Sequence, residues 1–219
     1  MLYYKTILSL SVIATISIST SSLAFQGNNQ SQNVAKHMIP AKNEQLEIGA
    51  HKFVSDLTTK GLGILSNENL SGEKRNKEFK DLLQSSFDMK SIARFALGRY
   101  WRTSTKSEQN EYLKLFENMI VEVYSKRFSN YKGQQIELIS TIPTGKADIM
   151  VSSVLIPETG AKIDIDWRVR KKKDGQLKII DIMVEGVSMA MTQRSDFSSV
   201  IQRGGGKIEV LLAHLRPED

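Results

Sequence analysis

The spacing of apolar residues changes along the chain, from a helical period in its first half to alternation in its second. The helical period begins with five apolar residues that share one helix face, Leu46, Ala50, Phe53, Val54 and Leu57. Gly61 and Gly63 follow this run, and they are expected to end the first helix because glycine lowers helix stability.

Capping signals predict three more helices. Ser71 is expected to cap the second helix, and Asp88 the third, which Gly98 closes. Thr105 and Glu108 form a capping box at the start of a long fourth helix. The predicted buried positions of the second helix are Phe79, Leu82, Leu83 and Ser86. Those of the long helix are Tyr112, Phe116, Met119, Ile120, Val123 and Tyr124.

Beyond Gly133 the alternating pattern predicts strands over residues 135–142, 147–156, 162–170 and 177–185. The third strand is the clearest, because apolar residues occupy every second position: Ile163, Ile165, Trp167 and Val169. Asp174 and Gly175 are typical of a tight turn, so the last two strands are expected to form a hairpin. Two short helices follow, with apolar faces formed by Phe197, Val200, Ile201, Ile208, Leu211, Leu212 and Leu215.

Helices, an antiparallel meander and closing helices predict a single α+β domain over residues 43–216. The strands have one apolar face, so the helices are expected to pack on that face and to leave the other in water. A curved sheet covered by helices can enclose a cavity. The periodicity alone does not determine whether this one does.

The N-terminus has the layout of a cleaved secretory signal peptide over residues 1–24. Lys5 precedes an apolar run, and Ser22 and Ala24 are the small residues expected before a cleavage site. The alternative is a membrane anchor, but a span needs about 20 largely apolar residues and this run is shorter. Residues 25–42 are polar and rich in amides, which predicts a flexible lead-in to the domain.

Composition narrows the functional classes. The chain has no cysteine, which excludes a lipid-anchored lipoprotein and any disulfide. Its net charge of +6 fits attraction to anionic lipid surfaces, but no motif supports nucleic-acid binding. No glycine-rich phosphate loop is present either, and no cofactor is expected.

Few side chains point to chemistry. The three histidines have no ligand spacing and predict no metal site: His37, His51 and His214. Asp164 and Asp166 share one face of a strand, and Asp181 lies on the next strand. Paired carboxylates can serve as general acid and base, but the neighbouring Arg168 and Arg170 favour a solvated surface of ion pairs. No catalytic residue is therefore assigned.

Two further groups of residues each have two interpretations. Met150, Met183, Met189 and Met191 could form an adaptable wall for acyl chains, although ordinary gap-filling in a core is favoured by the sequence alone. The basic run over residues 168–173 lies at the predicted hairpin tip. It fits either attraction to anionic headgroups or an acidic partner, or a solvated turn, and the sequence favours neither.

Five blocks between about residues 44 and 215 carry a family resemblance: FKDLLQSSFDMKSIARFALGRYWR, EYLKLFENMIVEVYSKRF, IDIDWRVR, IIDIMVEGVSMAMTQRSDF and GGGKIEVLLAHL. In this order they resemble the MlaC family of periplasmic phospholipid-binding shuttles, also called toluene-tolerance auxiliary proteins. Several ordered blocks are more specific than one short motif. The predicted export signal agrees with a periplasmic location.

The resemblance implies a soluble periplasmic carrier of Gram-negative bacteria with a fold like that of nuclear transport factor. Helices on one face of a curved antiparallel sheet would enclose an apolar lipid cavity. The implied ligand is a phospholipid. The implied partners are an inner-membrane ABC transporter with a membrane-anchored ring subunit and an outer-membrane lipoprotein complex, in a system that supports outer-membrane lipid asymmetry. A carrier needs no catalytic residue, and a diffusing shuttle is expected to be monomeric.

The inward faces of the predicted elements give an expected acyl-chain lining: Phe95, Met119, Val123, Met150, Trp167, Met183, Val187 and Met189. A charge introduced at such a position, as in Val187→Glu or Met183→Asp, is expected to block lipid loading without unfolding the domain.

Three alternatives stay open at this point. A related branch of the family is linked to hopanoid lipids, and the sequence does not separate that ligand from a phospholipid. A small enzyme on the same fold would use Asp181 or Asp164 as general base, and a carboxylate at the bottom of an apolar cavity would favour it. A periplasmic adaptor that binds only proteins would have a filled core.

Overall fold

The computed structural model describes residues 41–128, 133–145 and 147–217. The predicted signal peptide lies outside these residues, as does the predicted lead-in except for its last two residues, which belong to the first helix. The helices are α1 Ala41–Ser66, α2 Gly72–Ser86, α3 Met89–Leu97, α4 Tyr100–Thr103, α5 Lys106–Phe128, α6 Met189–Arg203 and α7 Ile208–Leu215. The strands are β1 Gln135–Thr144, β2 Asp148–Ile156, β3 Ile163–Lys171, β4 Leu177–Val184 and β5 Val187–Ser188.

The five strands form one antiparallel sheet in the order β1-β2-β3-β4-β5. Together with the helices before and after it, this sheet confirms the predicted α+β fold. The hairpin between β3 and β4 turns where the sequence predicts it, with Gly175 at φ 88°. The short strand β5 and the four-residue helix α4 have no counterpart in the predictions.

The strand register assigns the residues of the sheet to two faces. On one face Val151 pairs with Trp167, and Trp167 pairs with Ile182. All three belong to the apolar packing beneath α1 and α2. On the other face Ser152 pairs with Asp166, and its hydroxyl donates to that carboxylate over 2.6 Å. The alternation predicted for β3 is therefore confirmed, with an apolar face beneath α1 and α2 and a polar face on the other side.

Nearly all of the buried apolar residues in the described part of the chain form two clusters. The sheet cluster joins α1 and α2 to the sheet: Ala50, Val54, Leu57, Ile64, Phe79, Leu82, Leu83, Ile149, Val151, Trp167, Val169 and Ile179. The helix cluster joins α3 to α7: Ala93, Ala96, Leu97, Tyr100, Tyr112, Phe116, Met119, Phe197, Ile201, Ile208, Leu211, Leu212 and Leu215. At its centre the rings of Tyr112, Phe116 and Phe197 lie 5.8 to 6.2 Å apart.

The predicted helix caps are confirmed. The Asp88 carboxylate accepts a hydrogen bond from the Ser91 amide over 3.2 Å, and Gly98 ends α3 at φ 61°. Before α5, Glu108 accepts from the Thr105 amide over 2.6 Å and donates its own amide to the Thr105 hydroxyl over 3.3 Å. These bonds satisfy amides that have no partner inside the helices, so they fix where the helices begin.

The prediction that Gly61 and Gly63 end the first helix is wrong, because α1 continues through both glycines to Ser66. Leu57 before the glycines and Ile64 after them are both buried in the sheet cluster. Tertiary packing on both sides of the glycines thus outweighs their low helix propensity.

Strand β1 forms one edge of the sheet. Its pairing with β2 shifts register between Leu138 and Ser140, which is the signature of a β-bulge. Ile139 at the bulge and Ile142 beyond it are both more than half exposed. None of the helices in the described part of the chain is long and apolar enough to span a membrane.

Candidate functional site

A cavity of about 210 Å³ lies between the apolar face of the sheet and the helices that cover it. The first two helices contribute Leu57, Thr58, Gly61, Leu62, Leu65, Phe79, Leu82 and Leu83. Phe87, α3 and α5 contribute Phe87, Met89, Ile92, Phe116, Ile120 and Tyr124. The sheet and the start of α6 complete the wall with Ile136, Trp167, Asp181, Ile182, Met189, Ala190 and Gln193.

Several of the few polar groups in this wall are bonded within the protein. The Thr58 hydroxyl donates to the Val54 carbonyl of its own helix over 2.9 Å. The indole nitrogen of Trp167 donates to the Ser153 hydroxyl over 2.9 Å. Because these groups already have partners, the cavity favours a ligand part that forms no hydrogen bonds.

Asp181 is the only carboxylate among the residues that line this cavity. One of its oxygens accepts from the Ser188 hydroxyl over 2.6 Å, and the other from the Ala190 amide over 3.0 Å. Ser188 in turn caps α6 by accepting from the Met191 amide over 3.1 Å. These bonds give the Asp181 carboxylate a role in fixing the start of α6 against β4. Asp164, the other carboxylate considered as a general base, is exposed.

The eight residues predicted to line an acyl-chain site fall in four places. Trp167 and Met189 line the cavity. Met119 and Val123 belong to the helix cluster or pack against it. Phe95 and Val187 are each 40% exposed. Met150 and Met183 lie on the polar face of the sheet, because they pair with Arg168 and Asp166.

Most of the cavity wall contributed by α1 was not predicted from the sequence. Leu62 and Leu65 line the cavity, but they follow the glycine at which the helix was expected to end. Leu65 lies eight residues after Leu57 and Leu62 lies four residues after Thr58, both helical spacings, so a helix extended through Gly61 would have predicted them.

The polar face of the sheet carries an ion-pair cluster around Asp148, whose side chain is only 4% exposed. Arg168 donates to it over 2.7 Å and Arg170 over 2.6 Å. Burial alone would raise the pKa of Asp148, but the hydrogen bonds and positive charges of Arg170 and Arg168 outweigh it and hold that pKa below its usual range.

The basic run at the β3–β4 hairpin is therefore partly neutralised. Besides the two arginines held by Asp148, Lys172 forms an ion pair with Asp88, the cap of α3. Burial opposes ionisation of Asp88 too, but hydrogen bonds from Lys172 and Ser91 lower its pKa overall. The run serves at least in part to tie the hairpin to the helices. No group of His, Asp and Glu side chains among the described residues could hold a metal ion.

Comparison with known proteins gives consistent matches. The family model described as MlaC protein matches residues 55–217. The chain is 23% identical over 124 residues to the intermembrane phospholipid transport system binding protein MlaC of Haemophilus influenzae. That alignment covers 55% of this chain and spans 56% of the relative, little more than half its length.

A solved structure has the same fold. It is a phospholipid-binding protein from Ralstonia solanacearum in complex with a phospholipid, and it superposes with a TM-score of 0.67 at 22% identity. The match covers 76% of this chain and 94% of that one.

Proposed function

We propose that this chain, which belongs to the MlaC family, is a periplasmic phospholipid shuttle. The acyl chains of the bound phospholipid would occupy the cavity between the sheet and the helices. The observation that carries this proposal is the cavity itself, walled by apolar side chains from α1, α2, α3, α5, α6 and the sheet.

The chemistry of the wall fits a hydrocarbon chain. Each methylene exposed to water costs about 0.8 kcal/mol, so a carrier gains most by enclosing the tails and leaving the headgroup in water. Trp167 and Met189, predicted from the sequence, are proposed to contact the tails together with Leu57, Leu82 and Ile182. Such a carrier needs no catalytic group, and the Asp181 carboxylate is already engaged by Ser188 and Ala190.

The proposed transport route follows from the family. The Haemophilus influenzae relative is named as the binding protein of an intermembrane phospholipid transport system. For this chain we propose the same setting, with an inner-membrane ABC transporter and its membrane-anchored ring subunit on one side. An outer-membrane lipoprotein complex would be the partner on the other side.

The proposal is tested first by native mass spectrometry of the protein purified from a bacterial periplasm without detergent. A stoichiometric adduct that extracts as phospholipid is the expected result. A hopanoid adduct would mean that the carrier binds a hopanoid and not a phospholipid. An apo mass, with no lipid acquired from vesicles of phosphatidylglycerol and phosphatidylethanolamine, would overturn the carrier and favour an adaptor or an enzyme.

Two neighbouring residues of β4 provide a matched pair of variants. Ile182 lines the cavity, whereas Met183 lies on the opposite face of the sheet. Ile182→Asp is expected to abolish lipid loading because it places a carboxylate among apolar side chains. Met183→Asp is expected to load lipid normally. Circular dichroism checks that both variants fold. Loss of lipid loading in Met183→Asp alone would indicate that the lipid binds on the other face of the sheet.

A further inference from the structure

We infer that Gly61 sets the length of the acyl chain that the cavity accepts, an inference that rests on the proposed function. Five residues of α1 line the cavity at helical spacing: Leu57, Thr58, Gly61, Leu62 and Leu65. Gly61 lies at the middle of this stripe and adds no side chain to it. At this position the α1 side of the cavity wall is therefore formed by the helix backbone alone.

The nearest side chain to position 61 from another element is Leu82 of α2, which also lines the cavity. A β-carbon at Gly61 would lie 3.6 Å from Cδ2 of Leu82, which is an ordinary van der Waals contact. A methyl group at position 61 therefore fits without displacing α2. A longer side chain would either occupy the cavity or push Leu82 aside.

The backbone does not require glycine here. Gly61 lies inside a continuous α-helix and is absent from the residues with positive φ. Glycine is a poorer helix former than alanine, so α1 is less stable with glycine at this position. What the glycine provides is a stretch of cavity wall without a side chain, next to Leu82.

A side chain introduced at position 61 would point toward the preceding turn of α1. Helical side chains lean toward the N-terminus of their helix, so a leucine at position 61 would extend over the preceding turn. That turn carries Leu57 and Thr58, both in the cavity wall. The added side chain would thus fill the part of the cavity enclosed by Leu57 and Leu82.

Gly63 provides a matched control on the same helix. A β-carbon there meets no atom within 4 Å, and the residue is exposed and does not line the cavity. Substituting either glycine with the same residue changes helix propensity equally. Only the substitution at position 61 changes the cavity.

The test uses the full chain with Ala, Val or Leu at position 61 and, separately, at position 63. Each protein is loaded from vesicles containing equal amounts of dimyristoyl, dipalmitoyl and dioleoyl phosphatidylglycerol, and the bound lipids are identified by mass spectrometry. The ratio of short-chain to long-chain lipid is expected to rise in the order Ala, Val, Leu at position 61, reaching about tenfold for Leu. The position 63 series is expected to match the wild type.

The two proposals fail differently. A wild-type protein that loads no lipid would overturn the carrier itself. A wild type that loads lipid, with an unchanged chain-length ratio across the position 61 series, would overturn the role of Gly61 and leave the carrier standing. Loss of all lipid in Gly61→Leu without a shift toward short chains in Gly61→Val would also overturn it.

Discussion

The indole nitrogen of Trp167 donates a hydrogen bond to the Ser153 hydroxyl over 2.9 Å, across the β2–β3 pair at the wall of the cavity. The Ser153 hydroxyl in turn donates a hydrogen bond to the Ile165 carbonyl over 3.0 Å. Ser153→Ala would leave the indole donor unpaired in apolar surroundings, so we expect it to lower the free energy of unfolding by about 1–3 kcal/mol. Urea denaturation followed by tryptophan fluorescence measures this loss.

Ser152, one residue earlier, provides the control for that prediction. Its hydroxyl bonds to Asp166 on the polar face of the sheet, where water can replace it. Ser152→Ala is expected to cost roughly 0.5 kcal/mol. Equal losses in the two variants would contradict a special role for the Trp167–Ser153 bond.

The Asp148 cluster makes stability depend on acid pH. A carboxyl whose pKa is lower in the folded chain stabilises the fold above its unfolded pKa of about 3.9, and this contribution is lost as the pH falls through the folded value. The pKa of Asp148 is lowered in this way. We therefore expect the stability advantage of the wild type over Asp148→Asn to be full at neutral pH and to shrink below about pH 4.

Thermal melts of both proteins at several pH values measure that difference. At neutral pH Asp148→Asn is expected to cost about 1–3 kcal/mol, less than for a fully buried pair, because Arg168 and Arg170 are 41% and 44% exposed. Asp56→Asn removes only an exposed pair with Lys52 and should cost under about 0.5 kcal/mol. A pH-independent difference between wild type and Asp148→Asn would refute the assignment.

The turn between α6 and α7 brings Gly204 against Val210. A β-carbon at Gly204 would lie 2.5 Å from Cγ2, 2.6 Å from Cγ1 and 2.7 Å from Cβ of Val210. The backbone at φ −88° would accept alanine, so only this contact opposes it. Gly204→Ala is expected to lower the free energy of unfolding by about 1–3 kcal/mol.

Val210→Ala removes two of those three contacts, and Val210 is 38% exposed, so its own loss should be small. The double variant is expected to be more stable than the sum of the single changes predicts, by at least about 0.5 kcal/mol. If the free-energy changes of the two single variants, measured by denaturant unfolding, add strictly, then α6 and α7 move apart and the predicted clash does not occur.

Tyr112 links α5 to α3 inside the helix cluster. Its hydroxyl donates to the Ala93 carbonyl over 2.9 Å, and burial raises the pKa of this phenol, so the group stays protonated and remains a donor. Tyr112→Phe is expected to cost about 1 kcal/mol in chemical denaturation. Tyr100→Phe should cost less, since its partner Arg99 is exposed and can be hydrated. A larger loss in Tyr100→Phe would argue against the buried bond.

Local signals in the sequence were sufficient for much of the fold. The caps at Asp88 and Thr105 depend on side chains within three residues of the amides they bind, so short-range chemistry determines them. The end of α1 was mispredicted because Ile64 is held by packing against residues distant in sequence. The low helix propensity of Gly61 gives no information about that packing.

The cavity wall was harder to predict because β4 does not alternate strictly. Ile179 pairs with Val169 and Ile182 pairs with Trp167, so both lie on the apolar face although they are three residues apart. The register shift opposite Arg168 and Val169 causes this. Counting by twos from Ile179 places Met183 inward, whereas the sheet places Ile182 there.

The bulge in β1 bears on how the chain avoids aggregation. A long regular edge strand with exposed apolar residues is a template on which a second chain can extend the sheet. The irregularity at Ile139 interrupts the ladder of β1, and Pro143 near its end offers no amide hydrogen. Only short regular segments of β1 remain on either side of these two residues. At high protein concentration, such short segments disfavour edge-to-edge pairing of molecules into fibrils.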